Sequence, residues 1–324
     1  VHTGQHFDSN MSEVFFKEMQ IPKPAFNLAI NSLGHGAMTG RMLEEIEKLI
    51  LSEKPNMVLV YGDTNSTIAG ALAAKKLHVA VGHVEAGLRS FNMAMPEEVN
   101  RILTDRISDH LFCPTDTAIN NLKKEGYDNI DCHVHRTGDV MQDAAIYYAQ
   151  FVEEKSHVLK DNNITEDIAL VTIHRAENTD DPKRLNAIVN ALNHIHKKLR
   201  VVCPLHPRTR KIMDKLKLIP EFDLIDPVGY FDMIALLQRS KVVLTDSGGL
   251  QKEAFFFNSP CVTMRDQTEW VELVENGFNM IAGADSDQII AAFNQMIDAS
   301  PDFSLDLYGK GKASENIASI IASC

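Results

Sequence analysis

Short apolar runs alternate with amphipathic stretches along most of the chain, and each run stops at a polar or charged residue. Residues 57–60 are apolar and lead into Tyr61-Gly62-Asp63. A small-residue helical stretch follows at 66–76, then an apolar run at 79–84 that ends in Glu85-Ala86-Gly87. A third strand is expected at 110–113, before a helix with Thr115 or Asp116 as its N-cap and Gly126 just past its end. A second series begins near residue 167. Strands at 168–173, 201–205, 242–245 and 261–264 are separated by helices at 185–198, 231–238 and 250–257. Strands spaced by helices predict parallel βαβ units, hence an α/β fold. The polar stretch 153–166 separates the two series and marks the region of a domain boundary.

The polar residues fall at one kind of place. Asp63, Glu85, His174, His206, Asp246 and Arg265 all stand at or just past the C-terminal end of an expected strand. In open parallel sheets ligands bind at that edge. Two such edges facing each other would make one cleft.

Composition narrows the chemistry. The 324 residues suggest two domains, and 44% hydrophobic with 23% charged residues is the make-up of a globular protein. A net charge of −12 argues against general nucleic-acid binding, so a phosphorylated ligand would need local devices. No apolar run approaches the roughly eighteen residues of a membrane span, and the polar opening VHTGQHFD is unlike a signal peptide. Five scattered cysteines without a CxxC pair point to neither a disulfide framework nor a zinc site, and suit a reducing cytoplasm.

Three constellations carry candidate chemistry. In Asp246-Ser247-Gly248-Gly249-Leu250-Gln251-Lys252-Glu253 a strand ends, two glycines follow and a helix begins. Free N–H groups at a helix start make an anion site, and glycines let a phosphate approach the backbone. Ser247 adds a hydroxyl, and Glu253, further along the helix, suits ribose hydroxyls. The plainer reading is a helix cap around a tight turn. In Thr172-Ile173-His174-Arg175-Ala176-Glu177-Asn178, His174 beside Arg175 suits a phosphate or a general acid, or simply a charged surface loop. His206-Pro207-Arg208 repeats the theme and reads better as structural support. The third set is Asp63, Glu85 and Glu97-Glu98, whose convergence would divide acid and base roles. The alternative for Met95-Pro96-Glu97-Glu98 is an ordinary helix start, with Pro and acids in the first turn. Arg89 and Arg101 could balance these acids or grip a substrate. Phe255-Phe256-Phe257 reads as buried core at a helix end, and Trp270, the single Trp, as either a sugar platform or core filler.

Tyr61-Gly62-Asp63-Thr64, His83-Val84-Glu85-Ala86-Gly87-Leu88-Arg89, Met95-Pro96-Glu97-Glu98-Val99-Asn100-Arg101, Thr172-Ile173-His174-Arg175, Asp246-Ser247-Gly248-Gly249 and Gly309-Lys310-Gly311-Lys312-Ala313-Ser314 together resemble the non-hydrolysing UDP-N-acetylglucosamine 2-epimerases. The resemblance implies a glycosyltransferase-B type architecture of two Rossmann-like domains with the active site between them. It places an N-terminal domain at 1–152, a UDP-binding domain at 153–305 and a last helix at 306–324 that returns to the N-terminal domain. It implies anti elimination of UDP to a 2-acetamidoglucal, then re-addition with the proton on the opposite face of C2, and no metal or redox cofactor. By motif, Asp63, Glu85 and Glu97 become the acid–base carboxylates, and His174 lies against the diphosphate. Ser247, Gly248 and Gly249 hold phosphate, Glu253 holds the ribose, and Arg101 contacts the diphosphate or sugar side. Arg89, His206 and Arg265 complete the expected binding set, and a cytoplasmic homodimer is implied.

Two departures stand out. Val1-His2-Thr3-Gly4-Gln5-His6 resembles the second strand and loop of the family, so the opening strand and its Gly-Thr-Arg-Pro-Glu loop are expected to be missing. A chain lacking that central strand should be unstable or inactive alone. Gln5 and His6 lie where some members bind a second, activating UDP-GlcNAc. In Thr268-Glu269-Trp270-Val271-Glu272, Trp270-Val271 replaces the usual Arg-Pro, as in the branch that acts on UDP-2,3-diacetamido-2,3-dideoxyglucuronic acid for surface polysaccharides. UDP-GlcNAc is the first expectation and that modified sugar the alternative. A retaining glycosyltransferase, a hydrolysing epimerase and a UDP-sugar sensor are the rivals.

Overall fold

The computed structural model describes residues 1–5, 16 and 18–324. His6 lies outside the described residues. The chain forms two compact units, Val1–Ala144 with Asp306–Cys324, and Ala145–Leu305. The division falls inside the helix Val140–Ala149. The polar stretch 153–166 belongs wholly to the second unit, because Val152, Val158 and Ile164 are buried in its core.

In the first unit four strands, β1 (Met57–Tyr61), β2 (Ala80–Val84), β3 (His110–Cys113) and β4 (His133–Arg136), lie side by side in that order, all parallel. The helix Asn65–Lys76 links β1 to β2 and buries Ala69, Ala71, Ala73 and Ala74 completely. Alanines let it approach the sheet closely. Its start is closed by a capping box in which the Thr64 N–H donates to Thr67 Oγ1 at 3.1 Å. The helix Pro96–Ile107 has Pro at its first turn with Glu97 and Glu98, and the helix Asp116–Lys124 is capped by Thr115, whose hydroxyl accepts from the Ala118 N–H. Beside β1 lies a cavity of about 520 Å³, lined by largely apolar residues including Val1, Phe26, Ile46, Ile50 and Leu59. The last helix, Ala313–Ile321, belongs to this unit. Asp143 accepts from the Ala313 and Ser314 N–H groups, and Asn316 Nδ2 donates to the Thr137 carbonyl.

The second unit carries six parallel strands in the order β10-β9-β8-β5-β6-β7, where β5 is Ile168–Thr172, β6 Val201–Pro204, β7 Asp223–Ile225, β8 Ser240–Thr245, β9 Cys261–Thr263 and β10 Asn279–Ile281. Alternate residues feed opposite faces. Ala169 and Val171 join one apolar cluster, and Ile168 and Leu170 join the other. A sheet buried on both faces needs apolar strands throughout, which is why these runs are nearly uninterrupted. The helix expected from 185 begins earlier, as Pro182–His196, because the Asp181 carboxylate caps it and Pro182 fills its first position.

Candidate active site

In the first unit the chemistry gathers at the C-terminal ends of β1 and β2. Glu85 follows β2 with φ +75°, a left-handed conformation rare for a non-glycine residue. Both the Glu85 and Ala86 N–H groups donate to the Phe112 carbonyl, at 3.1 and 3.2 Å, and pin the bend. The Glu85 carboxylate turns towards the β1 end, where a Cβ on Gly62 would lie 3.4 Å from Oε2. Beyond the bend, a Cβ on Gly87 would meet the Ala118 carbonyl oxygen at 2.6 Å, so only glycine fits there.

Asp63 is held from the helix Pro96–Ile107. Asn100 Nδ2 donates to its carbonyl at 2.9 Å, and Arg101 Nη2 reaches its carboxylate at 2.5 Å. Arg101 is buried, and Nη1 donates to Glu98 at 3.0 Å. Its Nε finds no acceptor among the described residues. The paired acids 97 and 98 have opposite fates. Glu98 is fully buried and accepts from the Ser90 N–H and hydroxyl, the Phe91 N–H and Arg101. Its acceptor sites are spent on the base of the loop, and Glu97 is exposed.

Arg89, expected at the substrate, points inward. It is buried and donates to both carboxylate oxygens of Glu125 at 2.7 and 2.8 Å, to Asp105 at 2.7 Å and to the Leu88 carbonyl. Four of its N–H groups are thus engaged within the protein. Two residues that sequence reasoning missed complete this network. His83 is fully buried, and its ring nitrogens lie 2.7 Å from Asp105 Oδ1 and 2.8 Å from the Gly62 carbonyl. The other Asp105 oxygen accepts from the Gly87 N–H. Burial alone would lower the His83 pKa, but the Asp105 hydrogen bond and charge, the Gly62 carbonyl and Glu85 raise it. Burial alone would raise the Asp105 pKa, but the hydrogen bond and charge of His83 and then Arg89 lower it. A signal was present in the sequence: Glu98, Arg101 and Asp105 are spaced to share one helical face, a charged stripe where an apolar one belongs.

In the second unit Asp246, at the end of β8, is completely buried and organises the end of β5. It accepts from the His174 N–H at 3.1 Å, the Arg175 N–H at 3.0 Å and Asn178 Nδ2 at 3.2 Å. His174 Nδ1 lies 3.1 Å from Asp246 Oδ1, and the His174 side chain remains 49% exposed. A carboxylate against Nδ1 fixes the ring and leaves Nε2 for a ligand. One strand away, the helix Gly248–Phe256 starts from Ser247, whose hydroxyl accepts from the Leu250 N–H at 3.4 Å. The N–H groups of Gly248 and Gly249 have no acceptor among the described residues. A Cβ on Gly248 would lie 2.5 Å from Glu269 Oε1, and Arg265 Nη1 holds the other oxygen of that carboxylate at 3.1 Å. A carboxylate therefore already rests against this helix start, as an anion site requires.

His206 is exposed and caps its own helix, its Nδ1 accepting from the Arg208 N–H at 3.2 Å. Arg265 is buried between Glu269 and Glu177. Glu253 is half-buried in the helix Gly248–Phe256, close enough to Tyr230 to help raise its pKa after burial does. Gln5 accepts from the Ser66 N–H and hydroxyl at 3.2 and 3.1 Å, a structural use of its side chain. Trp270 is core filler: it is buried, with the Lys252 ammonium 4.1 Å from its ring centroid. Phe255 is buried, but Phe256 and Phe257 are half-exposed, since consecutive helical residues cannot share one face. Among the described residues no cluster of three or more His, Cys, Asp or Glu side chains could hold a metal ion, and no helix is long and apolar enough to cross a membrane.

The family model for UDP-N-acetylglucosamine 2-epimerase matches residues 1–322. The UDP-2,3-diacetamido-2,3-dideoxy-D-glucuronate 2-epimerase of Pseudomonas aeruginosa is 58% identical over 323 residues, covering 99% of this chain and 90% of that protein. A UDP-N-acetylglucosamine 2-epimerase of Methanococcus maripaludis is 44% identical, with 99% and 90% covered. Among solved structures, the Methanocaldococcus jannaschii UDP-GlcNAc 2-epimerase, crystallised with UDP-GlcNAc and UDP, superposes with a TM-score of 0.88 at 42% identity, covering 100% of this chain and 91% of that one.

Proposed function

We propose, from the premise that the chain belongs to the UDP-N-acetylglucosamine 2-epimerase family, that Glu85 and Asp63 exchange the C2 proton of a UDP-sugar. The protein is an isomerase with the glycosyltransferase-B type α/β fold. A carboxylate takes the proton from C2, the C1–O bond breaks, the electron pair forms the C1–C2 double bond, and UDP departs. UDP then adds back to C1 as C2 is protonated on its other face. The observation that carries this reading is the strained Glu85, aimed at the end of β1 where Asp63 sits against Arg101. Glu97, exposed at its helix start, is the further carboxylate available to the sugar. His174, oriented by Asp246, and the helix start at Ser247-Gly248-Gly249 take the diphosphate, which displaces Glu269 from that position. Glu253 takes the ribose. Arg89 acts through Asp105 and Glu125 instead of touching the sugar.

UDP-GlcNAc and UDP-2,3-diacetamido-2,3-dideoxyglucuronic acid both fit this chemistry. We favour the second as the better substrate, on the 58% identity to the enzyme named for it and on the Trp270-Val271 run. Proton NMR of C2 exchange in D2O, run on each sugar, tests both points. A higher kcat/KM for the diacetamido sugar supports the choice, and a preference for UDP-GlcNAc overturns it. Five free cysteines suit a cytoplasmic location. A homodimer, the expected assembly, would show its doubled mass by light scattering.

A further inference from the structure

His83 and Asp105 touch neither Glu85 nor Asp63 directly through their side-chain hydrogen bonds, yet those bonds surround both. The Gly62 carbonyl has no proton to give, so His83 Nε2 carries one and donates it. Asp105 also accepts from Arg89 and from the Gly87 N–H, which is the environment of an ionised carboxylate, so Nδ1 carries a proton as well. His83 is therefore an imidazolium in a fully buried position. A buried ion pair is a poor way to gain stability compared with apolar residues of the same volume. What this one supplies is geometry. Through the two ring nitrogens and Asp105 it ties Gly62, the residue before Asp63, to Gly87, two places after Glu85.

We propose that His83, held doubly protonated by Asp105, is a positioning residue that fixes the backbone around Glu85 and Asp63 and keeps Glu85 ionised. The inference rests on Glu85 acting at C2. The charged and titratable groups around His83 are Asp105, Glu85, Arg89 and Glu125, with Cys113 and Tyr127 raised by burial and then by Asp105. The cations of His83 and Arg89 offset the anions of Asp105 and Glu125. Removing the His83 charge leaves an uncompensated anion near Glu85 and raises the Glu85 pKa. A base must be ionised to act, so the acid limb of kcat/KM then moves to higher pH.

The test uses two substitutions and one direct measurement. His83→Gln keeps a donor for the Gly62 carbonyl but no charge; Asp105→Asn keeps the shape but removes the anchor. C2 deuterium exchange followed against pH should show kcat lowered by about 10- to 100-fold, as for misplaced catalytic groups. KM should change by less than about threefold, a split that marks loss of transition-state stabilisation alone. In His83→Gln the acid limb should shift to higher pH. In the unaltered protein, nitrogen-15 NMR of the His83 ring at pH 8 should find both nitrogens protonated, a reading that needs no variant to fold. A neutral His83 at pH 8 overturns the proposal. So do folded variants that melt earlier but keep kcat and the acid limb. Unaltered protein with no C2 exchange on either sugar would refute the reaction assigned above, while the ring NMR would still decide the His83 charge.

Discussion

The two units organise the C-terminal ends of their strands by opposite means. The first gathers full charges and buries them: His83, Asp105, Arg89 and Glu98 are all less than 5% exposed and are bound to one another or to the backbone. The second buries a single carboxylate, Asp246, against backbone N–H groups and leaves His174 half-exposed. The difference suits the role proposed for each. Moving a proton to and from carbon needs carboxylates fixed to within fractions of an ångström, which a rigid ionic network supplies. Holding and releasing a diphosphate needs donors that remain open, which a helix start supplies without introducing net charge.

That contrast can be broken in four places. The largest effect should come from Glu85→Gln, which is expected to slow C2 exchange by about 10³-fold, within the range for a lost acid–base group. Calorimetric affinity for UDP should stay unchanged; if it falls as much as exchange does, the division of labour is wrong. Next, Asp105→Asn should cost about 3 kcal/mol of stability in chemical denaturation near neutral pH, as for a broken buried pair. The pH dependence has a defined sign. The folded pKa of Asp105 is lowered, so its contribution is present above about pH 3.9 and is lost as pH falls through the folded value. That of His83 is raised, so its contribution is full below about pH 6.5 and is lost as pH rises through the folded value. The advantage of the unaltered protein over the variant should therefore be greatest between about pH 4 and 6.5 and shrink on both sides. Third, Asp246→Asn frees His174 and should lower kcat by about 10- to 100-fold with a smaller change in stability, because the bonds it weakens orient a reacting group. Smallest, Gly248→Ala should weaken UDP binding by about tenfold, or about 1.4 kcal/mol, with kcat at saturation preserved. Its Cβ presses on the Glu269 carboxylate, which can swing aside.

The second unit was the more legible from sequence. Its strands are buried on both faces, so β5, β6, β8 and β9 read as apolar runs, and each is followed by a polar residue. β7 and β10 open on a polar residue, Asp223 and Asn279, and so form no apolar run. β4, His133–Arg136, was missed because it is a polar edge strand with its first two residues exposed. Position along the chain put Asp63, Glu85 and His174 just past strand ends, where they stand, but did not say which way a side chain turns. Arg89 and Arg101 look alike in sequence. One has four N–H groups engaged by Asp105, Glu125 and the Leu88 carbonyl, and the other keeps Nε without an acceptor among the described residues. Glu97 and Glu98 are adjacent, and the roughly 100° step between helical neighbours buries one and exposes the other. Asp105 was signalled only by the charged stripe it shares with Glu98 and Arg101, and His83 by nothing, because its bonds run to Asp105 and to the Gly62 carbonyl, far from it in sequence.

The most direct test of the account is deuterium incorporation at C2 of a UDP-sugar by the full-length protein in D2O, followed by proton NMR with UDP-GlcNAc and with UDP-2,3-diacetamido-2,3-dideoxyglucuronic acid. The account predicts exchange at C2, appearance of the C2 epimer and no net release of UDP, with all three suppressed in Glu85→Gln. Exchange undiminished in Glu85→Gln, or no exchange on either sugar, would contradict it.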